Sequence, residues 1–183
     1  MDSMDFSLNS QQVQFFETFG YLAFPCLMLD RIDEITEAFE SVWVERGGGH
    51  NGKPHDGSAR SCIVPFIDQS ANLSSLIDDP RILAIATTLL GKDFNYMGSD
   101  GNYYVGDTGW HSDGWHPNGK PQHLKLAFYL DPLKRDSGAL RVIPGSHLDG
   151  DGYAATLQEN IRNIPENWGV DGSEIPATVL ETQ

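Results

Sequence analysis

With 183 residues, 39% of them apolar and 21% charged, the chain has the length of one domain and the balance of a globular protein, which argues against disorder along its whole length. Twelve basic residues against twenty-six acidic ones leave a formal charge of −14, and no basic run offsets it. A surface of that sign repels phosphate backbones and anionic membranes, so neither nucleic acid nor membrane is expected as a partner.

The N-terminus, Met1-Asp2-Ser3-Met4-Asp5, lacks the basic start and apolar core of a signal peptide. No apolar run approaches the roughly 20 residues of a membrane span, so a reducing, cytoplasmic location is expected. Val13, Phe15, Phe16 and Phe19 recur at helical spacing, which predicts a helix over 10–19, capped by Asn9 or Ser10 and stopped by Gly20. Tyr21-Leu22-Ala23-Phe24 reads as a short strand ended by Pro25. Cys26 and Cys62 fall in no metal or redox spacing and read as small buried apolar residues. A second helix is expected from about Asp30, its cap, to Arg46, with Ile32, Ile35, Phe39, Val42 and Trp43 on one face. Gly47-Gly48-Gly49 ends it and opens a polar loop to about Ser61.

The clearest helix is 79–90. Asp79 caps it, Pro80 takes the first helical position, and Ile82, Leu83, Ile85, Ala86, Leu89 and Leu90 form the buried face before Gly91. Beyond it the pattern changes to short β-branched or aromatic runs at 94–97, 102–105, 123–131, 139–143 and 177–181, separated by Gly, Pro and Asp turns. Helices first and strands after predict an α+β chain, mainly β, with an antiparallel sandwich or barrel and helices on its outside.

Within the turn-rich stretch before the third run stands His111-Ser112-Asp113. In extended backbone, residues two apart point to one face, so the imidazole and the carboxylate converge. Such a pair supplies two ligands of the 2-His-1-carboxylate triad, which leaves coordination positions open on non-haem iron(II). A bare His-x-Asp arises often by chance, and a surface turn is its ordinary reading. Its context adds weight, because Asp136-Ser137-Gly138-Ala139-Leu140-Arg141-Val142-Ile143-Pro144-Gly145-Ser146-His147 follows, a turn, a buried strand and a second turn.

In Phe19-Gly20-Tyr21-Leu22, Trp110-His111-Ser112-Asp113, Leu130-Asp131 and Gly138 to His147, in that order and spacing, the sequence resembles the phytanoyl-CoA dioxygenase family of iron(II)/2-oxoglutarate oxygenases. Around His111 and Trp115-His116 it also looks like the ectoine hydroxylases of that family. The resemblance implies a double-stranded β-helix (jelly roll) with buttressing helices, in one domain over 1–183. The helical region takes about 9–91 and the jelly-roll core about 93–183. It implies Fe(II) bound by His111 and Asp113, with 2-oxoglutarate and molecular oxygen consumed and a small organic substrate hydroxylated. Asp113 favours hydroxylation over halogenation, since iron halogenases of the wider fold carry a small residue there. The family's second metal-binding His, and the Arg or Lys after it that pairs with the 2-oxoglutarate tail, lie beyond the Pro-Gly-Ser-His turn. Neither occurs before Gln183, so the chain reads as the N-terminal two-thirds of the fold, missing its last strands and expected to be inactive alone.

Further pocket candidates follow from alternation. Over 123–131, Lys125, Ala127 and Tyr129 share one face, and Leu124, Leu126, Phe128 and Leu130 the other. Lys125 either points outward at a sheet edge or faces the barrel interior, where a 2-oxoglutarate carboxylate could pair with it. Asn102 and Tyr104 either line the same cosubstrate pocket or are ordinary strand polarity. Trp110, Trp115 and His116 bracket the motif and either wall the substrate side or only pack. Two rival classes remain: a jelly-roll binding or structural protein without metal chemistry, and another metal enzyme on the same barrel, such as an isomerase. A hydrolase is disfavoured, because Gly-x-Ser-x-Gly is absent.

Overall fold

A computed structural model describes residues 6–46, 55–106, 108, 123–148 and 177–182. The chain divides into two compact units, one of residues 1–7 and 26–107, the other of residues 8–25 and 108–183.

The first unit is built on helices. Helix α2 spans Ile32–Glu45 and buries Ile35, Ala38, Val42 and Trp43, the stripe expected from the 3.6-residue repeat. Ile32 and Phe39 complete that face, half-buried. Asp30 does not cap it. It sits inside a 3-10 turn, Leu29–Arg31, and its carboxylate accepts from Arg81 Nη1 at 2.5 Å, while the N-cap position is Arg31 without a capping side chain. The triple glycine expected to end the helix lies outside the described residues. Short helix α3, Ala71–Ser74, follows a 3-10 turn at Ile67–Gln69 and contributes buried Leu73.

Helix α4, Pro80–Leu90, follows its sequence signals closely. The Asp79 side chain accepts from the Arg81 amide and proline opens the first turn. Ile82, Ile85 and Ala86 are buried, whereas Leu83 is exposed because it stands one residue off the stripe. Gly91 closes the helix at φ 93°, ψ −179°, a conformation that only glycine adopts readily, although not the left-handed helical one expected. Beside the helices, β1 (Ser61–Ile63) and β2 (Gly101–Tyr103) pair antiparallel, with Ser61 opposite Tyr103 and Cys62 opposite Asn102. The expected strand at 94–97 does not form; Met97 is exposed and the Tyr96 hydroxyl donates to Asp68 at 3.1 Å. Both cysteines are exposed and free rather than buried. Cys62 is turned out by the alternation that turns Ser61 in, and Cys26 lies in a turn after Pro25 at φ 62°.

The second unit begins with α1, Ser10–Phe19, whose N-cap is Asn9. Asn9 Oδ1 accepts from the Gln12 amide at 2.9 Å and Gln12 Oε1 from the Asn9 amide at 3.0 Å, a reciprocal capping box. Gly20 stops it at φ 81°, ψ 11°. Residues 21–24 carry no strand. Strands β3 (Leu140–Val142) and β4 (Thr178–Leu180) pair antiparallel, with Arg141 opposite Val179. Ala139 and Ile143 are buried at the ends of β3, but Leu140, on the other face, is exposed. Thr182 anchors the turn before β3: its hydroxyl accepts from the Leu133 amide at 2.7 Å and donates to the Asp131 carbonyl at 3.1 Å. Residues 123–131 form no ladder with other described residues. Alternation fixes only where side chains point, and a strand also needs a paired edge. The described elements are therefore helices and two small antiparallel sheets, an α+β composition.

Candidate functional site

The segment from Asp136 to His147 is held by local chemistry. Lys134 and Ser137 bond to each other through backbone and hydroxyl, and Gly138 takes φ 97° to enter β3. After β3, the turn Pro144-Gly145-Ser146-His147 docks on the end of α1. The Gly145 amide donates to the Phe19 carbonyl at 3.0 Å, and His147 Nε2 lies 3.2 Å from the Glu17 carbonyl, for which it must be the protonated nitrogen. The His147 ring lies against Gly20 so closely that a Cβ there would come within 3.0 Å of its atoms. Phe19-Gly20 and Pro144 to His147 are thus two halves of one contact. His147 is spent on it.

On the sheet of the first unit, the two faces differ. Ser61 and Gly101 are buried on the inner face, and Gly101 passes Phe66 so closely that a Cβ would meet its ring. Tyr103, on that face, packs edge-on against Phe39 and Trp43 of α2 at 5.4 and 4.9 Å, and its hydroxyl donates to Glu40. The outer face carries Cys62, Asn102 and Tyr104, with Arg60 just before β1 on the same parity. Asn102 Oδ1 accepts from Arg60 Nε at 3.0 Å and Nη2 at 2.7 Å, while Asn102 Nδ2 donates to Asp100 at 2.5 Å. The Arg60 guanidinium lies 4.5 Å above the Tyr104 ring, a cation–π contact. Asn102 and Tyr104 are therefore brought together, by a cation that motif reading passes over. Arg60 ends a polar loop, and a three-residue strand is too short to announce itself by alternation.

Lys125 is exposed. His111, Asp113, Trp110, Trp115 and His116 lie outside the described residues. Among the described residues no group of three or more His, Cys, Asp or Glu side chains is placed to hold a metal ion.

A family model, Phytanoyl-CoA dioxygenase (PhyH), matches residues 16–178. The chain belongs to the phytanoyl-CoA dioxygenase family. The match takes in Phe16 to Leu22, the His111-x-Asp113 motif, the Pro-Gly-Ser-His turn and the first residue of β4. Members of this family are dioxygenases of the Fe(II)/2-oxoglutarate type, which act on small molecules with oxygen. No curated protein and no solved structure matched the chain. No helix among the described residues is long and apolar enough to cross a membrane.

Proposed function

We propose that this protein is an Fe(II)- and 2-oxoglutarate-dependent dioxygenase that hydroxylates a small organic substrate, on a jelly-roll domain whose helices lie outside. The observation that carries the reading is the family match over 16–178, which encloses His111-Ser112-Asp113 between β2 and β3. The donor set suits the metal: a neutral imidazole and a carboxylate are the ligand types that bind iron(II) while leaving it open positions. When bound, iron with 2-oxoglutarate supplies the oxidising power for an unactivated C–H bond, at the cost of the keto acid and oxygen.

The chain's own residues do the rest. His111 and Asp113 hold the metal, and Asp113 keeps a carboxylate where a halide would otherwise bind. Lys125 offers an ammonium to the cosubstrate's distal carboxylate, and Asn102 and Tyr104 line the pocket it enters. Trp110, Trp115 and His116 wall the substrate side and keep water from it. Two free, exposed thiols suit a reducing compartment, and we place the protein in the cytoplasm.

Metal titration tests the assignment apart from turnover. Wild-type protein should take up Fe(II), or Mn(II) as a stable substitute, with a saturable heat in calorimetry. His111→Ala should weaken that uptake by at least on the order of a hundredfold, since losing even a residue that only orients a ligand costs about tenfold to a hundredfold. Where the polypeptide also supplies the second metal-binding His that the resemblance implies, iron-dependent consumption of 2-oxoglutarate should disappear with it. Unchanged metal affinity in His111→Ala would sink the assignment.

A further inference from the structure

Two Asp-Gly pairs of the first unit, Asp56-Gly57 and Asp100-Gly101, stand in opposite settings. We propose that Asp56-Gly57 is a modification site at which the backbone isomerises spontaneously, converting the aspartate into β-linked isoaspartate.

The chemistry needs only water. The Gly57 amide nitrogen attacks Asp56 Cγ, so an N–C bond forms and a Cγ–O bond breaks. The amide proton and the carboxyl hydroxyl leave together as water, closing a succinimide ring. The ring then takes a water back. Opening at Cγ restores aspartate, whereas opening at the former main-chain carbonyl carbon routes the chain through the side chain. Nothing is oxidised or reduced, and the composition of the chain does not change. Glycine suits the attacking position, because no side chain shields its nitrogen and its backbone turns readily.

The local structure favours that attack. Asp56, Gly57 and Ser58 are all exposed, and Gly57 takes φ 73° with no described atom within 4 Å of where a Cβ would stand. Asp56 Oδ1 accepts from the Ser58 amide at 2.9 Å and from the Ser58 hydroxyl at 2.6 Å. These bonds fold the carboxyl group forward, past the Gly57 amide and onto the next residue. Two donors on one oxygen also draw electrons from Cγ and make it a better electrophile.

Asp100-Gly101 supplies the contrast. Gly101 is buried in β2 opposite Ile63, and a Cβ there would meet the Phe66 ring. The Asp100 carboxylate accepts from Asn102 Nδ2 at 2.5 Å. Ring closure at this pair has to turn the backbone out of its extended conformation, so the ladder must open first.

Isomerisation at Asp56 would also act on its surroundings. His55 Nε2 lies 3.1 Å from the Ala59 carbonyl, closing a loop over 56–58, and the His55 ring stacks on Tyr103 at 4.6 Å and 17°. A β linkage lengthens that loop by a carbon atom and hangs a carboxylate from it. The exposed carboxylate is the group that a protein isoaspartyl methyltransferase would methylate.

The test incubates the purified protein in mildly acidic buffer, where the reacting carboxylic acid form is supplied, both native and unfolded in urea. Peptide separation with electron-transfer fragmentation then locates β-linked aspartate. In the native protein Asp56 should isomerise on the order of tenfold or more faster than Asp100, which reacts only from an opened ladder. In urea the two rates should converge. Gly57→Ala should slow the reaction at Asp56 severalfold, and Asp56→Glu, which would have to close a larger ring, should abolish it. Circular dichroism checks that each variant is folded, and the comparison of the two pairs within the wild type needs no variant. A native yield at Asp56 no greater than at Asp100, or far below its own yield in urea, overturns the proposal. So does an unchanged rate in Gly57→Ala. Asn51-Gly52 and Asn118-Gly119 reach the same product by losing ammonia, and they are told apart by position and by a change in mass. No iron or cosubstrate enters, so the outcome is independent of the oxygenase reading.

Discussion

Asp79 shows how a single residue can carry both a local and a distant role. It caps α4 through the Arg81 amide at 3.0 Å, and its carboxylate also accepts from Arg81 Nε and Nη2 at 2.9 Å and from Arg31 Nη1 at 3.2 Å. The Arg81 hydrogen bond, helped by Arg31 and opposed by burial, lowers its pKa from 3.8 to about 2. Because the folded value is the lower one, the stabilisation is fully present above pH 3.8 and is lost as pH falls through 2. The difference corresponds to about 2 kcal/mol. Asp30 and Glu34 are also lowered, by Arg81 and Arg31, but they are exposed and contribute little to this acid limb. Asp79→Asn keeps a capping oxygen while leaving two half-buried guanidiniums short of a partner. It should cost about 2–3 kcal/mol in urea unfolding at pH 7 and flatten the fall in stability between pH 4 and 2. An unchanged acid limb in the variant would show that other carboxylates set it. The cap is legible from Asp79-Pro80, but the partner 48 residues upstream is not, because ion pairing across a fold leaves no periodic trace.

At the scale of elements, what can be read is whatever a helix writes into its own sequence. The capping box at Asn9, the proline start of α4 and the apolar stripe of α2 are contacts between residues at most a turn or two apart. Strands are less legible. The run at 139–143 holds a strand because β4 pairs with it, the run at 123–131 has the same alternation and forms no ladder with other described residues, and β1 carries too short a pattern to read. Pairing is a property of two segments, and one segment's pattern cannot supply it. The contact between Gly20 and His147 offers a direct measure of such a long-range term. Gly20→Ala meets two penalties, a Cβ against the His147 ring and a side chain at φ 81°. Together they should cost about 2–4 kcal/mol. In a His147→Ala background the steric part disappears, so the same change should cost only about 1 kcal/mol. Equal costs in the two backgrounds, measured as a double-mutant cycle, would mean that the ring does not press on Gly20.

For the whole molecule, the family can be read from four short stretches, while the Arg60–Asn102–Tyr104 cluster cannot. His111-x-Asp113 and Pro144 to His147 are compact words, whereas the Arg60–Asn102–Tyr104 cradle joins residues 42 apart and exists only once β1 meets β2. That cradle sits in a chain of net charge −14, and the same charge makes a prediction at this scale. Excess negative charge repels itself in the compact state, and salt weakens that repulsion as the Debye length falls from about 30 Å at 0.01 M to about 8 Å at 0.15 M. Salt also weakens exposed ion pairs, but the main cluster here surrounds Asp79, which is 6% exposed and poorly screened. Repulsion should therefore win. Between 10 and 150 mM sodium chloride we expect stability to rise by about 1 kcal/mol, a Tm increase of about 2–4 °C for a chain of this length. Calorimetry at the two salt concentrations checks the slope: a falling Tm would mean that exposed pairs outweigh the net charge.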